Sequence, residues 1–338
     1  MTAQCDTHHA YRVSIYRAGE VESEHLVDIA LCNAAGDIIL KKGRFDRLVF
    51  PRSAMKPLQA IALIETLIET GQIDRLSHED ISVICASHNG APEHSHQVAS
   101  LLQKFEISPD NLICGAHWSL NQAALIEQVR QHEQPDKIHN NCSGKHAGML
   151  ILAKLMGVSS DNYHLPDHPV QQKIIGILNQ MIGQNLSDMA MGIDGCGAPA
   201  PTGYLHHWAT GFAQFANPSS LSPIRQQAVR LIAEAIAAAP LLMAGKGRAC
   251  SAVNAAYGGD ATVKIGAEGV YAASFHRSGL GLMLKARDGH MRAAEVALGA
   301  VMHHLGFQEK QDCLPYFKPE LKNWAGSPTG FITGDSLV

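Results

Sequence analysis

The segment Arg52-Ser53-Ala54-Met55-Lys56, together with Lys264-Ile265-Gly266 much later in the chain, decides how this sequence is interpreted. At a helix start, a serine three residues before a lysine lies on the same face as that lysine, so hydroxyl and amine can meet. A desolvated lysine can remove the serine proton and create a nucleophile. A distant Lys-x-Gly supplies a second amine for the same cleft. This combination is typical of serine–lysine acyl-transfer enzymes, which is the first hypothesis.

Both parts of the pattern also have ordinary explanations. About one Ser-x-x-Lys pair is expected by chance in a chain of this composition, and such a serine can simply cap a helix. Lys264-Ile265-Gly266 can be the end of a hairpin strand with an exposed lysine. Position favours function, because the pair follows Phe50-Pro51 and opens a strongly apolar helix at a sheet–helix junction.

The spacing of apolar residues predicts an α+β fold with strands at both chain ends and helices between them. An antiparallel sheet from residues of about 10–50 and 260–310 would pack against a helical part at about 53–245, in a single domain spanning 1–338. The individual predictions are strands at 12–50, 81–85, 261–265, 270–275 and 280–286, and helices at 53–71, 93–105, 121–131, 145–156, 168–184, 201–215, 223–239 and 291–305.

Composition argues against nucleic-acid and membrane partners. The 338 residues are 46% hydrophobic and 17% charged with a net charge of -4, and no basic stripe is present. No apolar run approaches the roughly 18 residues of a membrane span, and the segment Met1–Asp6 lacks an apolar signal region. We therefore expect a cytoplasmic protein, whose eight scattered cysteines are thiols or metal ligands and not disulfides.

Cys142 and Cys196 are the candidate metal ligands. They lie 54 positions apart without a Cys-x-x-Cys signature, so buried structural cysteines are the ordinary interpretation. Against this, both lie in glycine-containing loops beside polar groups such as Asn141, Lys145 and Asp194. Soft thiolates suit zinc, whereas a lysine ligand would have to be neutral.

Ser87-His88-Asn89-Gly90 has two interpretations. Asn-Gly is a common turn pair, which alone explains the segment. The segment also offers a hydroxyl and an amide directly after the predicted strand at 81–85. Ser87 and Asn89 are therefore candidates for the same cleft.

Five long motifs, taken in order, resemble the Rhizobium-type (class 3) L-asparaginases. The similarity runs over nearly the whole chain and ends with Leu321-Lys322-Asn323-Trp324. It implies a fold like that of serine β-lactamases and glutaminases, a homodimer and L-asparagine as substrate. The motifs occupy residues 50–57, 85–90, 139–149, 192–199 and 264–269.

The resemblance also implies roles for individual residues. Ser53 matches the family's nucleophile paired with Lys56, and Ser87 matches a second serine paired with Lys264. A zinc ion completed by water is implied at three matching positions, and further matches line the substrate pocket. The zinc positions are Cys142, Lys145 and Cys196, and the pocket positions are Arg52, His146 and Asp194, to which the turn adds Asn89.

Three rival functions remain at this point. A penicillin-recognising serine hydrolase shares Ser-x-x-Lys and Lys-x-Gly, and a glutaminase shares the implied fold. A non-catalytic zinc-binding protein that recognises an amino acid is the third. Turnover of a chromogenic β-lactam would indicate the first, and preferential turnover of glutamine the second. Ligand binding without turnover would indicate the third.

Overall fold

The computed structural model describes residues 10–337, in which an eight-stranded antiparallel sheet carries helices on both faces. Residues 1–9 and 338 lie outside the described range, so the prediction for Met1–Asp6 falls there, as does Cys5. The described strands are β1 Tyr11–Arg17, β2 Glu20–Asn33, β3 Ile38–Lys42, β4 Leu48–Val49, β5 Met191–Ile193, β6 Pro199–Pro201, β7 Gly203–Tyr204, β8 Ala261–Ile265, β9 Val270–Phe275, β10 Leu280–Ala286, β11 Glu320–Lys322 and β12 Pro328–Gly334.

The large sheet combines strands from both ends of the chain. Its order is β11-β12-β1-β2-β10-β9-β8, with β3 paired to β2, and neighbouring strands are antiparallel. The long strand β2 makes this possible, because β1 pairs with its first half and β10 with its second. The predicted α+β fold with a sheet built from both ends is therefore confirmed.

The helices occupy the middle of the chain and the segment after β10. Most predicted helices are confirmed to within a few residues, and a 3-10 turn at Arg52–Met55 precedes the first of them. The described helices are α1 Lys56–Glu69, α2 His78–Ile84, α3 Pro92–Lys104, α4 Gln122–Arg130, α5 Ser143–Met156, α6 Pro169–Ile182, α7 Leu205–Ala216, α8 Pro223–Ala238, α9 Ala249–Tyr257, α10 Met291–His304 and α11 Leu314–Phe317.

Two hydrophobic cores lie on opposite faces of the sheet. One joins the sheet to α1, α2 and the other helices of the middle segment, and the second joins it to α9 and α10. Successive residues of β10 alternate between them, since Met283 belongs to the first core and Leu282 and Leu284 to the second. The sheet is therefore covered on both faces.

The predicted strand at 81–85 is wrong, because this segment lies in α2 and its C-terminal cap. A capping box starts the helix: the Ser77 hydroxyl accepts from the Asp80 N–H, and the Asp80 carboxylate accepts from the Ser77 N–H. Residues 80–84 are all buried, so the helix has no polar face to reveal its period. A short apolar run of this kind cannot be assigned from periodicity alone.

Elements at the end of the chain were not predicted from the sequence. After the last predicted helix, β11 and β12 extend the sheet, and β12 pairs with β1 from Val13 to Tyr16. Helix α9 was missed as well. No helix within residues 10–337 has the length and apolar character needed to cross a membrane.

Gly281 of β10 tests the contact between sheet and helices. A Cβ there would lie 2.0 Å from the Ala213 backbone N and 2.2 Å from the Ala209 carbonyl O, both on α7. We expect Gly281→Ala to lower the free energy of unfolding by at least about 2 kcal/mol, because backbone cannot move aside cheaply. Gly176→Ala is the control, since a Cβ at that helical position meets nothing within 4 Å. Equal stability of the two variants in chemical denaturation would contradict the expectation.

Candidate active site

Ser53 lies in the 3-10 turn immediately before α1. The Lys56 N–H donates to the Ser53 carbonyl, so the two residues are one turn apart, and in a 3-10 turn such residues eclipse on one face. Ser53 is half-buried and Lys56 is buried. The described contacts include no hydrogen bond between their side chains, and the Lys56 amine is bonded elsewhere.

The turn is held in a strained position by its surroundings. Arg52 has a φ of 52°, a region that non-glycine residues rarely adopt. Gly266 lies directly against the turn, since a Cβ there would come within 2.5 Å of the Pro51 carbonyl O. The glycine of Lys264-Ile265-Gly266 therefore lets the end of β8 approach the serine turn.

Ser87 is brought to the same place by the loop after α2. Its backbone N–H donates to the Met243 carbonyl at 2.9 Å, and its side chain is almost completely buried. Helix α5 packs closely against the end of α2, because a Cβ at Gly144 would lie 2.0 Å from the Val83 carbonyl O. The loops before α5 and after α2 are therefore neighbours.

Two buried lysine amines flank the Ser87 hydroxyl. The Lys264 Nζ lies 2.7 Å from Ser87 Oγ and the Lys56 Nζ 3.1 Å from the same atom. The Lys56 amine also donates to the Ala86 carbonyl at 2.5 Å and to the Asn141 carbonyl at 3.3 Å. A protonated Lys56 thus has an acceptor for each of its three N–H groups. Lys264 in addition donates to the Ile265 carbonyl at 2.8 Å.

The surroundings of Lys264 favour its neutral form. Burial, with the positive charge of Lys56 as the next cause, lowers the pKa of Lys264 to about 7. Two ammonium groups cannot share one buried hydroxyl without strong repulsion. Lys264 is thus the amine that can be neutral near physiological pH, and its lone pair then accepts the Ser87 proton.

Arg52 and Asp194 form an ion pair at the edge of the serine turn. Nε and one terminal nitrogen of Arg52 lie 3.0 and 2.8 Å from Asp194 Oδ1, which also accepts from the Gly195 N–H. Burial would raise the pKa of Asp194, but Lys145 and Arg52 bring it below its usual value. Among the described residues, every hydrogen bond to this carboxylate ends on Oδ1, so Oδ2 remains open.

Cys142, Lys145 and Cys196 are brought together across the fold. The Lys145 amine donates to Cys196 Sγ at 3.1 Å, and Cys142 and Cys196 lie close enough to influence each other's titration. Their interaction lowers the pKa of Cys142 well below its usual value and, together with burial, raises the pKa of Cys196. Burial would lower the pKa of Lys145, but Cys142, Cys196 and Asp194 raise it above its usual value.

This donor set fits zinc. Two thiolates and an amine around one point are suitable soft and borderline ligands, provided that all three have lost their protons. Within residues 10–337, no group of three His, Cys, Asp or Glu side chains forms a metal site. Lys145, or water, would therefore have to complete the coordination by the two cysteines.

His146 and Asn89 are both buried but differ in their hydrogen bonds. The Tyr163 hydroxyl accepts from the Ile113 N–H at 3.3 Å, and its own proton can be donated to His146 Nδ1, 2.8 Å away. In that arrangement the His146 proton lies on Nε2, which has no hydrogen-bond partner among the described residues. The Asn89 Oδ1 instead accepts from the Ala91 N–H, as in an ordinary turn.

Some contacts of the site carry no signal in the sequence. The Ala86 and Asn141 carbonyls that receive the Lys56 amine are backbone atoms, which every residue has. Tyr163 lies between helices, and nothing in its neighbourhood in the chain distinguishes it from a core tyrosine. Only the fold shows that it orients His146.

The family model for L-asparaginase II matches residues 13–333, which is almost the whole chain. The chain belongs to the L-asparaginase II family. This confirms the resemblance seen in the motifs and the prediction of an amidohydrolase. None of the curated proteins searched matches the chain.

Several solved structures match the chain at low identity and low TM-score. A β-lactamase from Mycobacterium bovis is 13% identical, with 82% of this chain and 94% of that chain covered and a TM-score of 0.41. An octameric penicillin-binding protein homologue from Pyrococcus abyssi is 12% identical, with 86% and 75% covered and a TM-score of 0.43. A D-alanine carboxypeptidase from Burkholderia cenocepacia is 15% identical, with 81% and 93% covered and a TM-score of 0.36. At these values the likeness says nothing about substrate.

The pKa of Lys264 predicts the pH dependence of amide hydrolysis. A lysine that works as a base is active when neutral, so the rate rises as pH increases and reaches half its plateau near pH 7. The measurement is kcat/KM, which reports the protein without substrate, across about pH 6 to about pH 9, with Lys264→Met as a variant that removes the base. A flat profile in the wild type would contradict the assignment.

Proposed function

We propose that the protein is an L-asparaginase that hydrolyses L-asparagine to L-aspartate and ammonia, with Ser53 as the nucleophile. The observation that carries the proposal is the Ser87 hydroxyl between the amines of Lys56 and Lys264, beside the Ser53 turn. Membership of the L-asparaginase II family supports the substrate class.

The chain from Lys56 through Ser87 to Lys264 can move a proton. In the resting state Lys56 is protonated and Lys264 is neutral. Ser87 gives its proton to Lys264 and receives one from Lys56, which leaves Ser87 unchanged and Lys56 neutral. Lys56, which lies one turn after Ser53, thereby becomes available as a base.

Neutral Lys56 then accepts the Ser53 proton as Ser53 Oγ attacks the side-chain amide carbon of asparagine. N–H groups at the start of the 3-10 turn would stabilise the oxyanion. When the tetrahedral intermediate collapses, Lys56 returns the proton to the departing nitrogen, and ammonia leaves. An aspartyl ester remains on Ser53.

Hydrolysis of the ester repeats the same proton movements. Lys56, neutral again, takes a proton from water as the water oxygen attacks the ester carbon. The C–O bond to Ser53 breaks, and Lys56 gives its proton to the Ser53 oxygen. L-Aspartate leaves, and the reverse movement through Ser87 restores the resting state.

Arg52 and Asp194 suit the zwitterionic end of an amino acid. Asp194 has its Oδ2 open, which can accept from an α-ammonium group. The Arg52 guanidinium beside it can donate to the α-carboxylate. His146 Nε2 offers a further buried donor, and Asn89 contributes through the turn that follows Ser87.

Zinc, if bound, would be held by Cys142, Lys145 and Cys196, with water completing the coordination. It would supply a fixed positive charge beside the substrate. Cys196 lies two residues after Asp194 in the hairpin loop between β5 and β6, so its ligation would also stiffen the substrate-binding ion pair. The homodimer, the cytoplasmic location and the absence of nucleic-acid partners stay predictions.

Ammonia release from L-asparagine tests the proposal. We expect turnover by the wild type and a loss of at least about 1000-fold in kcat for Ser53→Ala, because the nucleophile is removed. Mass analysis of rapidly quenched reactions should place the aspartyl group on the peptide that contains Ser53. L-Glutamine and a chromogenic β-lactam serve as comparison substrates, and elemental analysis gives the zinc content of wild type and Cys196→Ser.

Two results would contradict this assignment. Acylation of Ser87 in place of Ser53 would make Ser87 the nucleophile and Lys264 its base. Absence of ammonia from zinc-supplied wild type would exclude the asparaginase reaction itself.

Recognition of the α-ammonium group is tested with succinamate, which is asparagine without that group. We expect the wild type to prefer L-asparagine strongly, and Asp194→Asn to reduce this preference in kcat/KM by about 10-fold or more, because a charged hydrogen bond is lost. Asp188→Asn is the matched control, since this exposed carboxylate bonds only to Asn185 among the described residues. An unchanged preference in Asp194→Asn would show that another group binds the ammonium.

A further inference from the structure

His88 follows Ser87 directly and is completely buried. Its ring stacks on His94, with centroids 5.0 Å apart and planes inclined by 12°. The proposed reaction assigns it no role, and its position in a turn motif gave no reason to single it out. Its hydrogen bonds connect the loop of Ser87 to a different element.

The protonation of the His88 ring follows from its partners. The Gly90 N–H donates to Nδ1 at 3.2 Å, so Nδ1 is the acceptor and the proton lies on Nε2. Nε2 donates to Ser143 Oγ at 2.9 Å, and Ser143 in turn donates to the Ile138 carbonyl at 2.9 Å. Each polar atom along this connection has a partner.

Burial, followed by the nearby ring of His94 and the charge of Lys56, holds the pKa of His88 well below its usual value. The ring therefore stays neutral and keeps the single tautomer that the connection requires. It thus acts as a rigid connection, and its charge does not change near neutral pH.

Ser143 is the first residue of α5, and the loop before it also contacts the proton chain. The Asn141 carbonyl accepts from Lys56 at 3.3 Å. The His88–Ser143 bond thus fixes the distance between the loop that carries Ser87 and the loop that carries this carbonyl. A displacement of about 1 Å at such a site can cost about 100-fold in rate.

We propose that His88 is a positioning residue, which holds the Ser87 hydroxyl between Lys56 and Lys264 by bonding the Ser87 loop to the start of α5 through Ser143. This inference rests on the proposed function for its kinetic consequences. Its structural consequence, the position of Ser87 Oγ, is independent of any activity.

His94 provides the control for a merely structural role. It is equally buried and belongs to the same stacked pair, but its Nε2 bonds to the Leu241 carbonyl at 3.2 Å. Its Nδ1 has no hydrogen-bond partner among the described residues and lies 4.0 Å from Glu93 Oε1. Nothing in these contacts links it to α5. If lost packing causes the defect, substitution of either histidine should produce it. If lost positioning of Ser87 causes the defect, only substitution of His88 should produce it.

The experiment compares His88→Leu, His88→Gln, Ser143→Ala, the double variant His88→Leu/Ser143→Ala and His94→Leu. The measurements are kcat, KM, the pH midpoint of kcat and the unfolding midpoint in denaturant. We expect His88→Leu to lower kcat at least about 10-fold, with KM nearly unchanged. The pH midpoint should rise, because a loosened Ser87 loop admits water and relieves the burial of Lys264.

Three comparisons identify positioning. Ser143→Ala should give the same defect, and the double variant no further loss, since both remove one connection. His88→Gln should retain much of the activity, because its terminal amide can donate to Ser143 from nearly the same position. His94→Leu should lose stability without the shift in pH midpoint.

Crystal structures of wild type and His88→Leu complete the test. We expect Ser87 Oγ to lie within hydrogen-bonding distance of Lys264 Nζ in the wild type and outside it in the variant. An unmoved Ser87, or a kcat defect no larger than that of His94→Leu, would overturn the inference. If the wild type releases no ammonia, the proposed function fails, and the crystallographic comparison alone decides the role of His88.

Discussion

Two lysine amines buried within hydrogen-bonding distance of one hydroxyl are the constraint on which this site depends. Ser87 Oγ lies 2.7 Å from Lys264 Nζ and 3.1 Å from Lys56 Nζ, with both lysines withdrawn from water. Burial, followed by the positive charge of Lys56, lowers the pKa of Lys264 to about 7. The Lys56 amine has three acceptors, which is the number that an ammonium group can use. The packing of the site thus favours Lys264 as a base near neutral pH.

The fold maintains this arrangement through close backbone contacts that only glycine allows. Gly144 lets α5 approach the end of α2, Gly266 lets β8 approach the turn of Ser53, and Gly281 lets α7 approach β10. These contacts bring together segments from the start, middle and end of the chain. Of the two dyads implied by the resemblance, Ser87 and Lys264 lie within hydrogen-bonding distance, whereas the described hydrogen bond of the Lys56 amine to a serine goes to Ser87 and not to Ser53.

How far the sequence predicts this molecule depends on how local each signal is. Strands β8, β9 and β10 were predicted with their observed bounds, since alternation and turn glycines mark them locally. Helix α2 was mistaken for a strand because its residues 80–84 are all buried and show no helical alternation of apolar and polar residues. Ser77 and Asp80, which form the capping box, were the local sign of a helix start. Strand β12 was missed because its partner β1 lies more than 300 residues away, and β11 was missed with it because β11 pairs with β12.

The candidate site likewise contains residues that the sequence predicts and contacts that it does not. Motifs predicted serines, lysines and cysteines as site residues, and in the structure the Lys145 amine contacts Cys196 Sγ with Cys142 nearby. The partner of the Lys56 amine could not be predicted, because spacing suggests Ser53 whereas the described hydrogen bond goes to Ser87. Which hydroxyl a lysine reaches is set by loop packing, and sequence spacing does not contain that information.

The titration of Lys264 in the resting protein tests the central claim most directly. NMR of lysine labelled with carbon-13 at Cε reports the charge of each amine, and Lys264→Met identifies the signal. The account predicts a midpoint near pH 7 for Lys264. A Lys264 signal that stays charged to about pH 9 or above would show that burial does not produce a neutral base, and the proposed proton movement would fail with it.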